Sequence, residues 1–362
     1  MAMQELFDVT PGSAGLLGAN ERNFRELVAQ YRRFEGNVIP CVGAGLSVGV
    51  YPLWGQSLKL MASLIPHVQS DTRAQIEALI GSSRFDAAAN LLFEAAGRSA
   101  FSDTLRQVFD PARATPEEVE RLPAALLPKA FPEGPVLTLN FDCLLENFVY
   151  RGSDHEFGDR VIRGPVQFTQ DRQDLVRGGV KTLLKIHGCV TRPSEVVFTS
   201  DQYDRFYHKD NNSPNAAFLA LLFQAHPVLF LGCSLTNDRL MQLLTEIART
   251  NDLPHFALLP RPEDDRRLAE DGQRLANVGI RPIWYPTGQH QWVLHVLEAL
   301  AAQRRRSAAP AVPRDEPAVA EAGSRNLCIG RDELIGEAWL SVSHDRRREA
   351  VEIQGAPGPR GE

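Results

Sequence analysis

Six short apolar runs recur along the chain, separated by longer segments in which apolar residues follow a helical spacing. The runs cover residues 37–42, 136–139, 182–186, 228–231, 255–259 and 283–285. Within them the apolar residues are largely consecutive rather than alternating, as in strands buried on both faces of a parallel sheet. Pro40 lies in the first run, and because proline lacks the N–H group that a sheet ladder uses, the limits of that strand stay open. Strands that alternate with helices predict an α/β protein whose parallel sheet is flanked by helices.

Apolar residues spaced three and four apart predict helices over residues 238–249 and 291–304. Between Gly55 and Ala130 no strand pattern occurs, and the same spacing predicts four further helices. These cover residues 58–65, 74–80, 85–96 and 103–109. The pattern therefore predicts a helical insert over about residues 55–130, directly after the first strand and its loop, where a lid or small subdomain is often found.

Changes in composition divide the chain into four segments. Residues 1–36 are predicted to be an N-terminal helical segment, and residues 37–300 the α/β domain with its insert. Residues 301–325 are rich in alanine, proline and charge, which is typical of a flexible linker. Residues 326–362 are too few to build an independent core.

The composition narrows the classes of partner. Of the 362 residues, 43% are hydrophobic and 23% charged, so the chain can bury a sizeable core. The net charge of -6 gives no general attraction to nucleic acid or to anionic membranes. No stretch approaches the ~18 consecutive apolar residues of a membrane span, and the first residues lack a signal-peptide pattern. We expect a cytoplasmic protein with neither a membrane nor a direct nucleic-acid partner.

The cysteines are widely spaced, with no CxxC pair among them. They are Cys41, Cys143, Cys189, Cys233 and Cys328. This spacing argues against a zinc ribbon and against a disulfide framework. Four of them lie in or beside apolar runs, where a cysteine is usually a small buried hydrophobic residue.

Four motifs follow predicted strands. They are Gly43-Ala44-Gly45-Leu46-Ser47, Thr138-Leu139-Asn140-Phe141-Asp142, Lys185-Ile186-His187-Gly188 and Leu231-Gly232-Cys233-Ser234-Leu235-Thr236-Asn237-Asp238. Taken singly, each has an ordinary structural explanation: a glycine turn, a helix cap, a structural histidine and a tight turn before a helix. The carboxyl ends of parallel strands share the edge at which open α/β sheets bind ligands. The four motifs together therefore predict a nucleotide site.

The order of these motifs resembles the motif series of sirtuin-like (SIR2-like) domains, and more closely the divergent branch found in bacterial anti-phage defence proteins. The resemblance runs from about Val38 to His290. Supporting matches lie between the motifs, at Pro52-Leu53-Trp54, at Phe85-Asp86-Ala87-Ala88 and at residues 199–203. The resemblance implies a Rossmann-like sheet with a helical module, NAD as the ligand and chemistry at the nicotinamide ribose.

The resemblance also implies a role for individual residues. Asn140 would orient a water, and His187 would act as general base toward that water or toward a ribose hydroxyl. The residues implied to contact NAD are Gly43, Ala44, Gly45 and Ser47 at the pyrophosphate and nearby ribose, Asp142 at the nicotinamide ribose, and Gly232, Ser234 and Asp238 at the adenosine half.

Two departures separate this chain from the deacylating sirtuins that it resembles. Those enzymes carry a four-cysteine zinc module, which cysteines without pairs do not build, so no zinc is expected. Their Asp-Phe-Arg type segment is replaced here by Pro52-Leu53-Trp54. Because the pyridinium of NAD is already a good leaving group, one oriented water and one base are sufficient for hydrolysis. The resemblance thus implies an NAD glycohydrolase that releases nicotinamide and ADP-ribose, or a cyclic product, and depletes NAD when phage infection is sensed.

Alternatives from other functional classes stay open. The chain could be a regulatory subunit that holds NAD or ADP-ribose unchanged, although binding alone requires neither Asn140 nor His187. Protein deacylation is disfavoured by the missing zinc module. A dehydrogenase is disfavoured because Gly43-Ala44-Gly45-Leu46-Ser47 lacks the final glycine of the GxGxxG pattern.

The C-terminal segments 326–334 and 351–362 resemble the start of a STAND-type NTPase. A phosphate loop GxxxxGK[ST] counted from Gly355 would need glycine at 360 and lysine at 361, where Arg360 and Gly361 stand. A working ATPase is therefore not expected, and a degraded or truncated sensor module or a disordered tail remain the two interpretations. Because NAD destruction must be controlled, we expect a homo-oligomer or a fused or neighbouring sensor module as partner.

Overall fold

The computed structural model describes residues 14–34, 38–164, 175–176, 180–207, 213–235 and 238–308. Seven strands form one sheet. They are β1 (Ile39–Val42), β2 (Pro135–Thr138), β3 (Val161–Ile162), β4 (Thr182–Lys185), β5 (Val228–Leu231), β6 (His255–Pro260) and β7 (Ile280–Tyr285). Their order is β3-β4-β2-β1-β5-β6-β7, and each neighbouring pair is parallel. The predicted Rossmann-like α/β fold is confirmed.

The helices surround this sheet. They are α1 (Ala14–Arg33), α2 (Trp54–Leu64), α3 (Ser70–Gly81), α4 (Phe85–Ala96), α5 (Arg98–Val108), α6 (Pro116–Glu120), α7 (Leu127–Ala130), α8 (Ser200–Tyr207), α9 (Pro214–Ala225), α10 (Asp238–Ala248), α11 (Asp265–Ala276) and α12 (Gln291–Ala308). Helices α2 to α7 lie between β1 and β2, so the helical insert after the first strand is present as predicted. No described helix has the length and apolarity that a membrane span requires.

Successive residues of the strands pack into different cores, which explains why the strand sequences are continuously apolar. In β5, Leu229 and Leu231 contribute to a core with α1, the insert and α12, while Val228 and Phe230 contribute to a second core with α8, α9, α10 and α11. All four residues are almost fully buried. The sheet is thus covered on both faces, as the absence of polar alternation indicates.

Four predicted strands are shifted by only one or two residues at an end, and two strands differ more from the sequence-based expectation. Strand β7 begins at Ile280 rather than at residue 283. The sequence did not show this start, because Arg281 and Pro282 are only half-buried and interrupt the apolar run. Strand β3, at the edge of the sheet, was not predicted, since two residues are too short to give a pattern. Neither difference changes the topology of the site.

Pro40 is tolerated in the central strand because of the direction in which it faces. The N–H groups of Ile39 and Gly43 both donate to carbonyls on the β5 side, at 2.9 Å each. Residues of a strand alternate in direction, so the nitrogen of Pro40 faces β2 instead. The register between β1 and β2 begins only at Cys41, and the missing donor therefore removes no ladder bond from the β5 side.

The segment boundaries predicted at the chain ends remain predictions. Helix α1 lies within the predicted N-terminal segment, and α12 continues into the first residues of the predicted linker. The remainder of the linker and the whole of residues 326–362 lie outside the described residues.

The order of the strands creates a topological switch point between β1 and β5. From β1 the chain builds outward through β2 and β4, and then crosses to β5 on the other side of β1. Loops that leave β1 and β5 in opposite directions open a crevice at the carboxyl edge, where open α/β sheets bind ligands. Gly43 follows β1 and Gly232 follows β5, so both glycine motifs lie at this point.

The two glycine loops touch through their backbones. Gly45 N–H donates to the Gly232 carbonyl at 3.0 Å, and Gly232 has a positive φ of 66°. A Cβ atom on Gly232 would lie 2.7 Å from the Leu46 nitrogen, and one on Gly43 would lie 2.5 Å from the Gly232 oxygen. The close approach therefore requires glycine on both sides.

We expect Gly232→Ala to destabilise the fold more than Gly152→Ala does. Gly152 has a similar φ of 69° with nothing near its missing Cβ, so its substitution adds only left-handed strain of about 1–2 kcal/mol. Gly232→Ala should cost a further ~1–3 kcal/mol because the methyl group overlaps packed backbone. Denaturant unfolding of both variants measures the difference, and equal losses would show that the close approach is not rigid.

Candidate functional site

Side chains from the loops after β1 and β2 form a hydrogen-bond relay at the carboxyl edge of the sheet. Asn140 Nδ2 donates to Ser47 Oγ at 3.1 Å, and the Ser47 hydroxyl donates to Asp142 Oδ2 at 3.2 Å. All three residues are buried. Because a serine hydroxyl has only one proton, which Asp142 accepts here, Ser47 must accept from Asn140, and this fixes which end of the amide faces the serine.

The relay leaves the amide oxygen of Asn140 available as an acceptor. Within the described part of the chain Oδ1 has no hydrogen-bond partner, and Asn140 retains 8% of its surface exposed. The backbone is held as well, because Thr138 Oγ1 accepts the Asn140 N–H at 3.1 Å and itself donates to the Val42 carbonyl at 3.0 Å. Asn140 thus presents one oriented acceptor to a water or hydroxyl.

Asp142 accepts hydrogen bonds with both of its carboxylate oxygens. Its Oδ1 accepts the N–H of Leu144 at 3.0 Å, an Asx-turn bond just before the π-helical turn Leu145–Val149, whose N-cap is Leu144. Its Oδ2 belongs to the relay. Burial raises the pKa of Asp142, and the charge of Lys185 opposes this in part.

Lys185 joins the loop after β2 to the end of β4. Its ammonium group donates to the Asp142 carbonyl and to Glu146 Oε1, the latter at 3.1 Å. The Lys185 and Glu146 side chains are 0% and 6% exposed. Burial alone would lower the pKa of Lys185, but the Glu146 carboxylate raises it above its ordinary value, so the lysine stays charged. Removing one partner of such a pair costs about 3–5 kcal/mol, because it leaves an uncompensated buried charge.

His187 follows β4 and is enclosed by aromatic rings of α8. Its Nε2 lies 2.9 Å from the Tyr207 hydroxyl, and the Tyr203 ring packs edge-on with a centroid separation of 5.0 Å. The ring also hydrogen bonds to the backbone of Leu139, the residue before Asn140. His187 and Asn140 are therefore neighbours on the same edge, although 46 residues lie between them in the chain.

The surroundings of His187 keep it neutral. Burial lowers the pKa of His187 to about 4, and the bond to Leu139 raises it only in part. A neutral imidazole carries one N–H and one lone pair, so the contact between Nε2 and the Tyr207 hydroxyl can run in either direction, depending on the tautomer.

The glycine motif after β1 differs in one respect from its predicted use. The resemblance implies that this motif contacts the pyrophosphate of NAD, and the N–H groups of Gly43 and Gly45 donate to carbonyls of β5 and its loop. Leu46 and Ser47 donate within the 3-10 turn that Ala44–Leu46 forms. The glycines therefore serve the contact between the loops, and Ser47 contributes a side chain to the relay.

The remaining NAD-contacting candidates lie after β5. Ser234 is exposed at the same edge, two residues beyond Gly232. Asp238 begins α10, but its side chain lies outside the described residues, as do residues 236 and 237. The described part of the chain thus brings together Ser47, Asn140, Asp142 and His187, with Gly43, Gly45 and Gly232 supporting them.

Several residues that hold this edge together have a role that the sequence alone does not indicate. Thr138 and Lys185 stand inside motifs that were recognised, and only their partners in space distinguish them from ordinary strand residues. Tyr207 gives a weaker signal, an aromatic residue in a short helix beyond the His187 motif. Cys143 and Cys189, expected to be separate buried thiols, are buried but lie 3.6 Å apart through their sulfur atoms.

An uncharged imidazole, an oriented amide and a carboxylate are suited to a sugar hydroxyl and a water rather than to phosphate oxygens. The nearest buried cation, Lys185, already serves Glu146 and the Asp142 carbonyl. The edge can therefore hold a neutral polyol beside a positioned water, with a base that is unprotonated at neutral pH.

Comparison with known families places this edge within a recognised domain. Residues 135–283 match the family model of the SIR2-like domain, from the first residue of β2 into β7. The matched region contains Asn140, His187 and Gly232 and leaves out the Gly43 motif. Comparison with curated proteins gives no match. Residues 135–283 are therefore similar to SIR2-like domains, and a domain of this kind implies the binding or use of NAD.

Proposed function

We propose that this protein hydrolyses NAD to nicotinamide and ADP-ribose. The observation that carries the proposal is the Asn140–Ser47–Asp142 relay, with neutral His187 beside it. The relay holds one amide acceptor where it can orient a water, and the imidazole can receive a proton. Asn140 and His187 are the proposed catalytic residues.

The proposed reaction requires the protein mainly to position the water, the ribose and a proton acceptor. Water adds to the anomeric carbon of the nicotinamide ribose as the glycosidic bond breaks, and the electron pair of that bond neutralises the pyridinium. Nicotinamide therefore leaves without a proton donor, and the water loses one proton. Asn140 Oδ1 orients the water, His187 takes or relays the proton, and Asp142 binds a ribose hydroxyl.

The NAD contacts beyond the ribose are proposals of the same kind. Gly43, Ala44, Gly45 and Ser47 are proposed beside the pyrophosphate and its ribose, and Gly232, Ser234 and Asp238 beside the adenosine half. Their positions after β1 and β5 support this, since dinucleotides cross the switch point of open sheets. The amide groups of Gly43 and Gly45 are engaged, so contacts of this loop would come from its other atoms.

The biological role is proposed from the resemblance of the motif series. The protein would act in the bacterial cytoplasm as a defence effector that depletes NAD when infection is sensed. Control would come from homo-oligomerisation or from a fused or neighbouring sensor module. Measuring cellular NAD after phage challenge, in cells expressing the wild type or Asn140→Ala, tests this role, and equal NAD levels in both would contradict it.

We expect Asn140→Ala and His187→Ala each to lower turnover of NAD by about 10²–10⁴-fold, the usual contribution of a positioned acid or base. Nicotinamide release by the purified full chain, with and without a candidate activator, is the measurement. His67→Ala and Asn277→Ala are matched controls, because His67 lies within the helical insert and Asn277 directly follows α11.

The wild type and the two site variants also distinguish the alternative functions. Saturable binding of NAD with unchanged ligand under every condition would favour a regulatory subunit. Release of nicotinamide only with an acetylated peptide would favour deacylation. Full activity in both site variants would exclude the proposed catalytic pair.

We expect Ser47→Ala to lower kcat/KM by about tenfold or more while leaving the fold intact. The change removes the hydrogen bond that orients Asn140, and a factor of ten corresponds to ~1.4 kcal/mol, the size of one net hydrogen bond. Ser57→Ala is the control, since Ser57 is similarly buried and, among the described residues, its hydroxyl donates to the Trp54 carbonyl of its own helix. Equal kcat/KM values for the two variants would show that the Ser47 hydrogen bond does not contribute to catalysis.

A further inference from the structure

A second cluster of reactive side chains lies between the loops after β2 and β4. Cys143 Sγ and Cys189 Sγ are 3.6 Å apart, and a Glu146 oxygen lies within 4.8 Å of both sulfur atoms. The two cysteines are 2% and 0% exposed. Across the described residues this is the one group of three or more such side chains close enough to share a metal ion. The hydrolysis proposed above does not use it.

The separation of the sulfur atoms matches that of two ligands on one metal ion. Zinc–thiolate bonds of about 2.3 Å at a tetrahedral angle place two sulfur atoms about 3.8 Å apart. A disulfide would hold them at about 2.05 Å. The carboxylate supplies a third ligand of the kind found in zinc sites, and two thiolates favour zinc over the harder magnesium and calcium ions.

The charges of the cluster balance when a divalent ion is present. Two thiolates offset the ion, and Lys185 already offsets Glu146 at 3.1 Å. The hydroxyl of Thr191 donates to Cys189 Sγ at 3.2 Å, which is the kind of outer contact that orients a ligating thiolate. No ligand would therefore be left as an uncompensated buried charge.

A second pair of neighbouring cysteines in the same protein lacks the carboxylate that accompanies Cys143 and Cys189. Cys41 and Cys233 also lie beside each other across β1 and the loop after β5, and the Cys233 thiol raises the pKa of Cys41. Cys233 additionally lies 3.4 Å from the Cys41 carbonyl. This pair belongs to no such group in the described part of the chain. Sulfur contact alone is thus common to both pairs, and the carboxylate distinguishes one of them.

We propose that Cys143, Glu146 and Cys189 bind a zinc ion that holds the loops after β2 and β4 together. Cys143 directly follows Asp142, and Cys189 is separated from His187 by Gly188 alone. The ion would therefore hold together the two loops that carry Asp142 and His187. This site is different from a four-cysteine module, because its ligands come from two loops rather than from CxxC pairs.

Metal binding by the full chain tests the proposal. The protein is purified with reductant, exposed to zinc chloride, dialysed and analysed for metal, and cobalt substitution monitors thiolate ligation by absorption. We expect about one zinc per wild-type chain and at least tenfold weaker binding in Cys143→Ser and Cys189→Ser. Cys233→Ser should bind as the wild type does. A metal-free wild type, or equal binding in all variants, would overturn the proposal.

Alkylation of the wild type gives a readout that needs no variant to fold. Reduced protein is treated with iodoacetamide in zinc or in chelator, and modified cysteines are located by mass spectrometry. Zinc should slow modification of Cys143 and Cys189 at least tenfold and leave Cys41 and Cys233 unchanged. Equal rates with and without zinc would overturn the proposal. So would a Cys143–Cys189 disulfide that forms in air while the reduced pair binds no zinc, which would assign a redox pair instead.

Discussion

The contact between two glycine loops sets the geometry on which the rest of the site depends. Where β1 and β5 end, Gly43 and Gly45 rest on the backbone of Gly232 with no room for a side chain between them. This contact joins the two strands at the switch point, where the two halves of the sheet diverge. It also fixes the turn that carries Ser47, and Ser47 in turn orients Asn140.

On the β2 side of β1, a buried ion pair holds neighbouring loops together, as the glycine contact does on the β5 side. Lys185 has no exposed surface, and it bonds to the Asp142 carbonyl and to Glu146. A lysine so placed is stable only because an acid accompanies it, so the end of β4 and the turn after β2 must stay together. The consequence reaches the chemistry, since Asp142 belongs to the relay and His187 follows Lys185 by two residues.

His187 and Asn140 complement each other through their opposite surroundings. His187 is packed against aromatic rings and is held neutral by burial, whereas Asn140 Oδ1 has no partner among the residues that the structure describes and Asn140 is partly exposed. One residue can therefore accept a proton and the other can direct a water. Like Lys185, the Cys143, Glu146 and Cys189 cluster joins the loops after β2 and β4. Several independent contacts therefore hold these two loops together.

The sequence by itself determined six of the seven strands, the helical insert and the sheet edge that carries the candidate site, because consecutive apolar residues and glycine turns are local signals. It identified Asn140 and His187 as candidates for the same reason, since both follow such strands. Only the tertiary structure decided that the Gly43 and Gly45 amides face β5, that Thr138 and Lys185 support the loops, and that Cys143 meets Cys189. These facts depend on strand order and register, which bring together residues dozens of positions apart and leave no trace in the spacing along the chain.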